Sequence, residues 1–305
     1  MLVVGLLAGT AAAFAVTERL KLVRSPIFAT RIEHKLFSPV CDCPSETATV
    51  HFRLREADRL TIAIEDADRT VVRTIVDGLR LRAGDVAAAW DGRNDSGAVV
   101  PEGQYRPRVH LDEARRTILL PNPITVDTTP PEVLRFEVRP AGFSPDRDGR
   151  NDKVSALYEF SEAAHALLFV RGRREVRSRF QPLEGKLDWF GIVDGRPLRA
   201  GPVELALAAE DRAGNVSERT APQAVRIRYV TLGRELIRTP AGLRFGVRVE
   251  SDARTVTWRF AGGRGGTEPG LLVLRAPRNP GEYTLFVVAN GRGARARVIV
   301  VPRAG

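Results

Sequence analysis

A run of turn-forming residues set between two apolar strands occurs twice in this chain, and it limits the folds open to it more than any other feature. From Trp90 to Leu111 the sequence reads WDGRNDSGAVVPEGQYRPRVHL. A Trp is followed by a turn packed with Gly, Asn, Asp and Ser, then by a Pro-x-Gly corner at Pro101 and Gly103, and then by a strand that Tyr105 opens. That order describes a strand, a loop and a return strand. The arrangement returns in WFGIVDGRPLRAGPVELAL, where Trp189, Gly191, Gly195 and Gly201 follow the order of Trp90, Gly92, Gly97 and Gly103 over a slightly shorter span. A hairpin of this kind belongs to a β-sandwich rather than to a catalytic loop, and a repeated hairpin implies a repeated domain.

The flanking sequence supports the repeat. Ala48, Val50, Phe52 and Leu54 alternate with Thr49, His51, Arg53 and Arg55, the pattern of a strand with one solvated face. Leu60, Ile62 and Ile64 alternate next, an Asp66-Ala67-Asp68 turn follows, and a third strand is predicted near Val71 to Val76. Pro107 inside the return strand predicts an edge position or a bulge, because proline cannot donate to a ladder. Residues 122–131, NPITVDTTPP, read as a short strand leading into a stiff linker. Phe143-Ser144-Pro145 then repeats Phe37-Ser38-Pro39, and the Trp189 hairpin closes the second copy. The third segment lacks the Phe-Ser-Pro opening but alternates at Leu243 to Val249, Val256 to Phe260 and Ala294 to Val300, with GGRGG at 262–266 read as a flexible hairpin connection. The 305 residues suit about two or three domains of roughly 100 residues each. The expected fold is all-β: tandem sandwiches over 27–127, 128–229 and 230–305, following an N-terminal hydrophobic helix in segment 1–26.

Residues 1–16, MLVVGLLAGTAAAFAV, carry no charge. Ala13-Phe14-Ala15 suits a small-x-small cleavage site, so a signal peptide and a retained membrane anchor both stay open, and either implies export. Arg19, Lys21 and Arg24 follow the run rather than precede it, which taken literally would keep the sandwiches inside. The reading adopted is that a basic leader stands upstream of Met1. The net charge of +10 draws a surface toward polyanions. Arg53, Arg55, Arg106, Arg108, Arg226 and Arg228 nevertheless fall at solvent-facing positions of strands, as a solvated face requires. A protein partner or an anionic envelope polymer is therefore expected rather than specific nucleic-acid binding.

At the Trp90 hairpin the chain resembles the FlgD-type immunoglobulin-like domains of bacterial exported proteins, through Trp90, Asp91, Gly92, Asp95, Gly97, Val100, Pro101, Gly103 and Tyr105. The second segment resembles a related form that opens FSPxxDGxND, here Phe143 to Asp152, and ends D-x-A-G-N, here Asp211 to Asn215. The resemblance implies immunoglobulin-like sandwiches and an extracytoplasmic, non-catalytic protein acting as a spacer or interaction module. It also implies two alternatives, an appendage-assembly role like that of the flagellar hook cap and an accessory domain set for a secreted hydrolase.

Two constellations could carry chemistry. Asp146, Asp148, Asn151 and Asp152 place oxygen ligands around Gly149, as calcium loops do, although the stretch is too short for an EF-hand and the same residues suit a plain Asx-rich turn. Cys41 and Cys43, the only cysteines, occupy the matching place after Phe37-Ser38-Pro39. A local disulfide on a tightly turned backbone, free thiols and a metal half-site stay open. His34, His51, His110 and His165 are scattered, with no His-Glu-x-x-His and no Gly-x-Ser-x-Gly, so enzymatic activity and an organic cofactor are not expected.

Overall fold

The computed structural model describes residues 24–179 and 183–303. The hydrophobic run at 1–16 lies outside them. Every regular element among the described residues is a strand, and they include no helix long and apolar enough to cross a membrane. The chain divides into two compact units, one made of residues up to Thr129 together with Arg212–Asn215, the other of Pro130–Asp211 and the chain from Val216 onward.

In the first unit, β1 (Ile27–Glu33), β3 (Ala48–Leu54) and β6 (Gly84–Trp90) form one antiparallel sheet. The second sheet runs in the order β2 (Leu36–Phe37), β9 (Ile124–Val126), β7 (Gly103–Leu111), β4 (Asp58–Glu65) and β5 (Val71–Leu81), with β8 (Arg116–Leu119) paired to β7. Alternate residues of both sheets meet in one core, among them Val50, Phe52, Leu60, Ile62, Trp90 and Val109. Such alternation is what a two-layer sandwich requires of its strands.

The second unit repeats this order twice. Its first module sets β10 (Val133–Arg139), β12 (Val154–Phe160) and β15 (Glu184–Trp189) against β11 (Gly142–Phe143), β19 (Gln223–Ile227), β18 (Gly201–Glu210), β13 (His165–Val170) and β14 (Arg173–Arg177). A small hairpin, β16 (Ile192–Val193) with β17 (Arg196–Pro197), follows Trp189. The second sets β20 (Thr231–Leu232), β22 (Arg244–Glu250) and β25 (Gly270–Arg275) against β21 (Leu236–Pro240), β27 (Arg292–Val301), β26 (Gly281–Ala289), β23 (Val256–Phe260) and β24 (Gly263–Thr267). Each module has its own core cluster. In all three, a short early strand runs parallel to the last strand: β2 with β9, β11 with β19, β21 with β27. The segment without a Phe-Ser-Pro opening therefore has the same strand order as the two that carry one.

Three local expectations are corrected. Pro107 lies in the interior of a sheet, opposite Ile64. On its other side β7 pairs with β9 through Tyr105 and with β8 from Arg108, so Pro107 stands where the partner changes. Its carbonyl accepts from Leu120 N–H at 2.9 Å, and the missing donor of the same residue points into that gap. The GGRGG stretch is largely strand: Gly263–Thr267 pairs with Val256–Phe260. Glycine is needed there because the Trp258 indole lies over Gly265, where a Cβ would stand 2.8 Å from the ring. Arg108, expected on a solvated face, is half-exposed and holds the buried Glu65 carboxylate at 2.8 Å. A buried carboxylate needs such a cation.

Candidate functional site

The two repeated motifs prove to be halves of one fitting. Trp90 is buried, with its ring tilted edge-on to Phe37 at 5.7 Å and to Tyr105 at 5.1 Å. Its Nε1–H donates to the Arg93 carbonyl at 2.9 Å, and Tyr105 O–H donates to the Pro101 carbonyl at 2.7 Å. Gly92, at φ +69°, leaves room for Pro39: a Cβ there would come within 2.8 Å of the proline ring. The second copy repeats the fit. Trp189 packs on Phe143 at 5.7 Å, its Nε1–H donates to the Ile192 carbonyl at 3.0 Å, and a Cβ on Gly191 would stand 2.6 Å from Pro145. Phe-Ser-Pro and Trp-x-Gly are thus a structural lock between the two sheets.

Immediately after the first Phe-Ser-Pro, Cys41 and Cys43 are joined in a disulfide. Asp42 between them adopts φ 47°, which supplies the tight turn that so short a bridge needs. Within the same unit Gly214, at φ +100°, lies against the bridge, and a Cβ there would be 2.5 Å from Cys43 Sγ. Ser45 Oγ donates to the Ala213 carbonyl, and Asn215 Nδ2 donates to the Asp127 carbonyl at 3.0 Å. The D-x-A-G-N turn thereby seats on the Cys41–Cys43 loop.

After the second Phe-Ser-Pro, the loop 146–152 gathers acids instead. Asp146, Asp148 and Asp152 bring carboxylate oxygens within 4.8 Å of one another. Asp152 accepts from the N–H groups of Arg147 at 2.6 Å and Gly149 at 2.8 Å, and Asp148 Oδ1 accepts from Arg150 N–H at 2.8 Å. Asn151 contributes through its backbone, its carbonyl accepting from Ser144 N–H at 2.9 Å. Asn290, from the turn between β26 and β27, donates its amide to Asp146 Oδ2 at 3.0 Å and to Asp148 Oδ2 at 3.2 Å. Asp252, after β22, is the fourth acid. Burial raises its carboxyl above the usual range and the charges of Asp146 and Asp148 add to that, against a downward pull from its own backbone N–H and the Ser144 hydroxyl. Asn290 and Asp252 could not be found by spacing, since each reaches the loop through tertiary packing. In the first copy, likewise, Asn94 Oδ1 is taken up by Ser96 and Ala98 N–H of its own turn, and Asp95 Oδ1 by Thr74 N–H of β5.

The histidines stay apart. His34 contacts the Thr47 carbonyl, His51 lies between Arg31 and Glu33, His110 meets Thr117 and Asp112, and His165 meets the Ser178 carbonyl.

With the Trp90 hairpin, its corner and its tyrosine in place, the resemblance can be read against known families. Residues 45–114 match the FlgD Ig-like domain. The FlgD Ig-like domain match begins just before β3 and ends just beyond β7, and so takes in the whole Trp90 hairpin. Among curated proteins, none matches the chain. Similar solved structures include titin domains I67–I69 in an E-to-A mutated variant (12% identity, 85% of this chain and 93% of that one, TM-score 0.30). The fibronectin(III)-like modules of Clostridium thermocellum CbhA are similar at 15% identity over 65% of this chain and 92% of theirs, with a TM-score of 0.34. A bacterial ice-binding adhesin structure is similar at 10% identity over 90% and 97%, with a TM-score of 0.28. Likeness at this level carries nothing about activity.

Proposed function

We propose that the chain is a non-catalytic, exported cell-envelope protein that acts as a spacer or interaction module. The observation that carries this reading is the threefold repetition of one strand order, each copy closed around its own core. Three closed cores invest the sequence in loops, sheet faces and edges, the parts through which sandwich modules engage partners. The outer face of β25 fits that use, with Leu271 72% and Val273 52% exposed. The Cys41–Cys43 bridge supports an oxidising compartment, because cytosolic thiols are kept reduced. The apolar run at 1–16 supports export, and anchoring by that run or binding to an anionic envelope polymer belongs to the same reading.

Fractionation of native cells followed by intact-mass analysis tests it. The chain is expected in an extracytoplasmic or membrane fraction, with Cys41 and Cys43 refusing an alkylating reagent until reduced. Recovery in the cytosol with both thiols freely alkylated would defeat the proposal. The FlgD Ig-like match at 45–114 favours a second reading, an appendage-assembly role. Filament subunits copurifying with the chain would select that reading over the spacer.

A further inference from the structure

We propose that the solvent face of the larger sheet of the third module binds an acidic polysaccharide, along a cross-strand row made by Arg264, Arg259, Phe286 and Arg295. Register sets the row. Arg264 of β24 stands directly opposite Arg259 of β23, Arg259 opposite Phe286 of β26, and Phe286 opposite Arg295 of β27. Residues opposite one another in an antiparallel ladder share a face, and all four are exposed, Phe286 at 41%. With strands about 4.8 Å apart, the row is roughly 14 Å long.

The first ground is where the charge lies. Residues 231–305 hold thirteen arginines and no lysine against five acids, which places +8 of the chain's net +10 in this module. The second ground is what the row lacks. Like charges directly opposite one another destabilise a ladder, and acids relieve them elsewhere in the chain. Arg59 and Arg80 also face each other, but Arg59 lies 4.0 Å from Asp112 and Arg80 is paired with Glu113. On the same sheet as the row, Arg297 is held by Glu282 at 3.1 Å. Among the described residues no acid pairs with Arg259, Arg264 or Arg295, and their guanidinium groups donate no hydrogen bond. The Arg259 guanidinium lies over the Phe286 ring, 5.7 Å from its centre, and its N–H donors stay unused. Arg244 and Arg275 of the smaller sheet also face each other unrelieved, but aliphatic Leu271 and Val273 stand beside them in place of a ring.

That combination selects the occupant. A guanidinium fork takes a carboxylate through two parallel N–H donors. Phe286, between Arg259 and Arg295, offers an apolar surface on which the C–H face of a sugar ring leaves water. An open groove of about 470 Å³, lined by Trp258, Arg264 and Phe286, borders the row. A polymer that carries a carboxylate on a sugar ring meets both features at once. Single-stranded nucleic acid suits the row less well, since successive rings stack its bases and the row has one. The inference deepens the reading of an anionic envelope polymer as partner and rests on it only for where the polymer is met; binding in vitro stands or falls whatever compartment the chain occupies.

Biolayer interferometry of the full chain on immobilised polygalacturonate tests it, with neutral dextran, single-stranded DNA and polyphosphate alongside. The chain should bind polygalacturonate and not dextran, and more weakly as salt rises. The Arg259→Gln/Arg264→Gln/Arg295→Gln variant should bind about tenfold or more weakly. Without polymer it should melt no lower than the unaltered chain, because the facing charges are gone. A control with Arg82, Arg116 and Arg199 changed to Gln loses the same charge from exposed positions of the other modules, and should stay within about twofold. Phe286→Ala keeps every charge and should weaken binding about threefold or more. No binding to polygalacturonate, an equal loss in the control, or tighter binding of DNA or polyphosphate through the same row would overturn the proposal. Should the triple variant fail to fold, Phe286→Ala decides: weakened binding supports the row and unchanged binding refutes it.

Discussion

Replacing Trp90 by Ala should cost the first module about 3–5 kcal/mol, enough to bring a marginal sandwich close to unfolding. The side chain is only 1% exposed and lies between Phe37 and Tyr105, so its removal leaves a cavity walled by two rings that cannot collapse together. The Arg93 carbonyl also loses the donor that closes the turn. Urea unfolding, followed by calorimetry, should show the transition of the first unit displaced downward with that of the second unchanged, since the cores are separate clusters. A loss below about 1 kcal/mol would mean that the tryptophan packs less closely than the geometry indicates.

Gly191→Ala should be the most damaging single-methyl change in the second module. Gly191 sits at φ +67°, where an L side chain costs roughly 1–2 kcal/mol. The new Cβ would also stand 2.6 Å from Pro145 and 3.2 Å from Phe143, and overpacking of a fixed ring adds roughly 1–3 kcal/mol. A second change, Pro145→Gly, removes the obstructing ring. The two effects should therefore fall short of adding, by about 1 kcal/mol or more, in a double-mutant cycle followed by urea unfolding. Additive losses would show that Gly191 is required for its backbone angle alone.

Much of this lock was legible in the sequence, and the reason is physical. Gly92 and Gly191 sit in turns at positive φ, and Trp90, Tyr105 and Trp189 stand on the strands beside those turns, so that local backbone geometry fixes the spacing by which they are recognised. Period-two alternation likewise marked Ala48 to Leu54 and Val154 to Phe160, whose inward residues are all buried. What the sequence left open depends on partners distant along the chain. Pro107 reads as an edge residue until β8 and β9 are seen dividing the other side of β7 between them. GGRGG reads as a loop until Trp258 is seen lying on it. The acids at 146–152 were visible as a group, whereas the closing Asn290 amide was not. Cys41 and Cys43 allowed three chemistries, and the left-handed turn at Asp42 with Gly214 against the sulfurs accommodates the bridge.

The central structural claim is that one strand order recurs three times, and the segment from 230 onward, which has no opening motif, is where it is most exposed to failure. Amide hydrogen exchange on the intact chain tests it there. Within Leu236–Pro240 the Ile237 and Thr239 amides should exchange slowly, with protection on the order of 10² or more, because parallel pairing of this edge strand with Arg297–Val301 turns alternate N–H groups toward the closing strand. Exchange of those two amides at the rate of an unstructured peptide, with β26 and β27 still protected, would contradict a third copy of the fold.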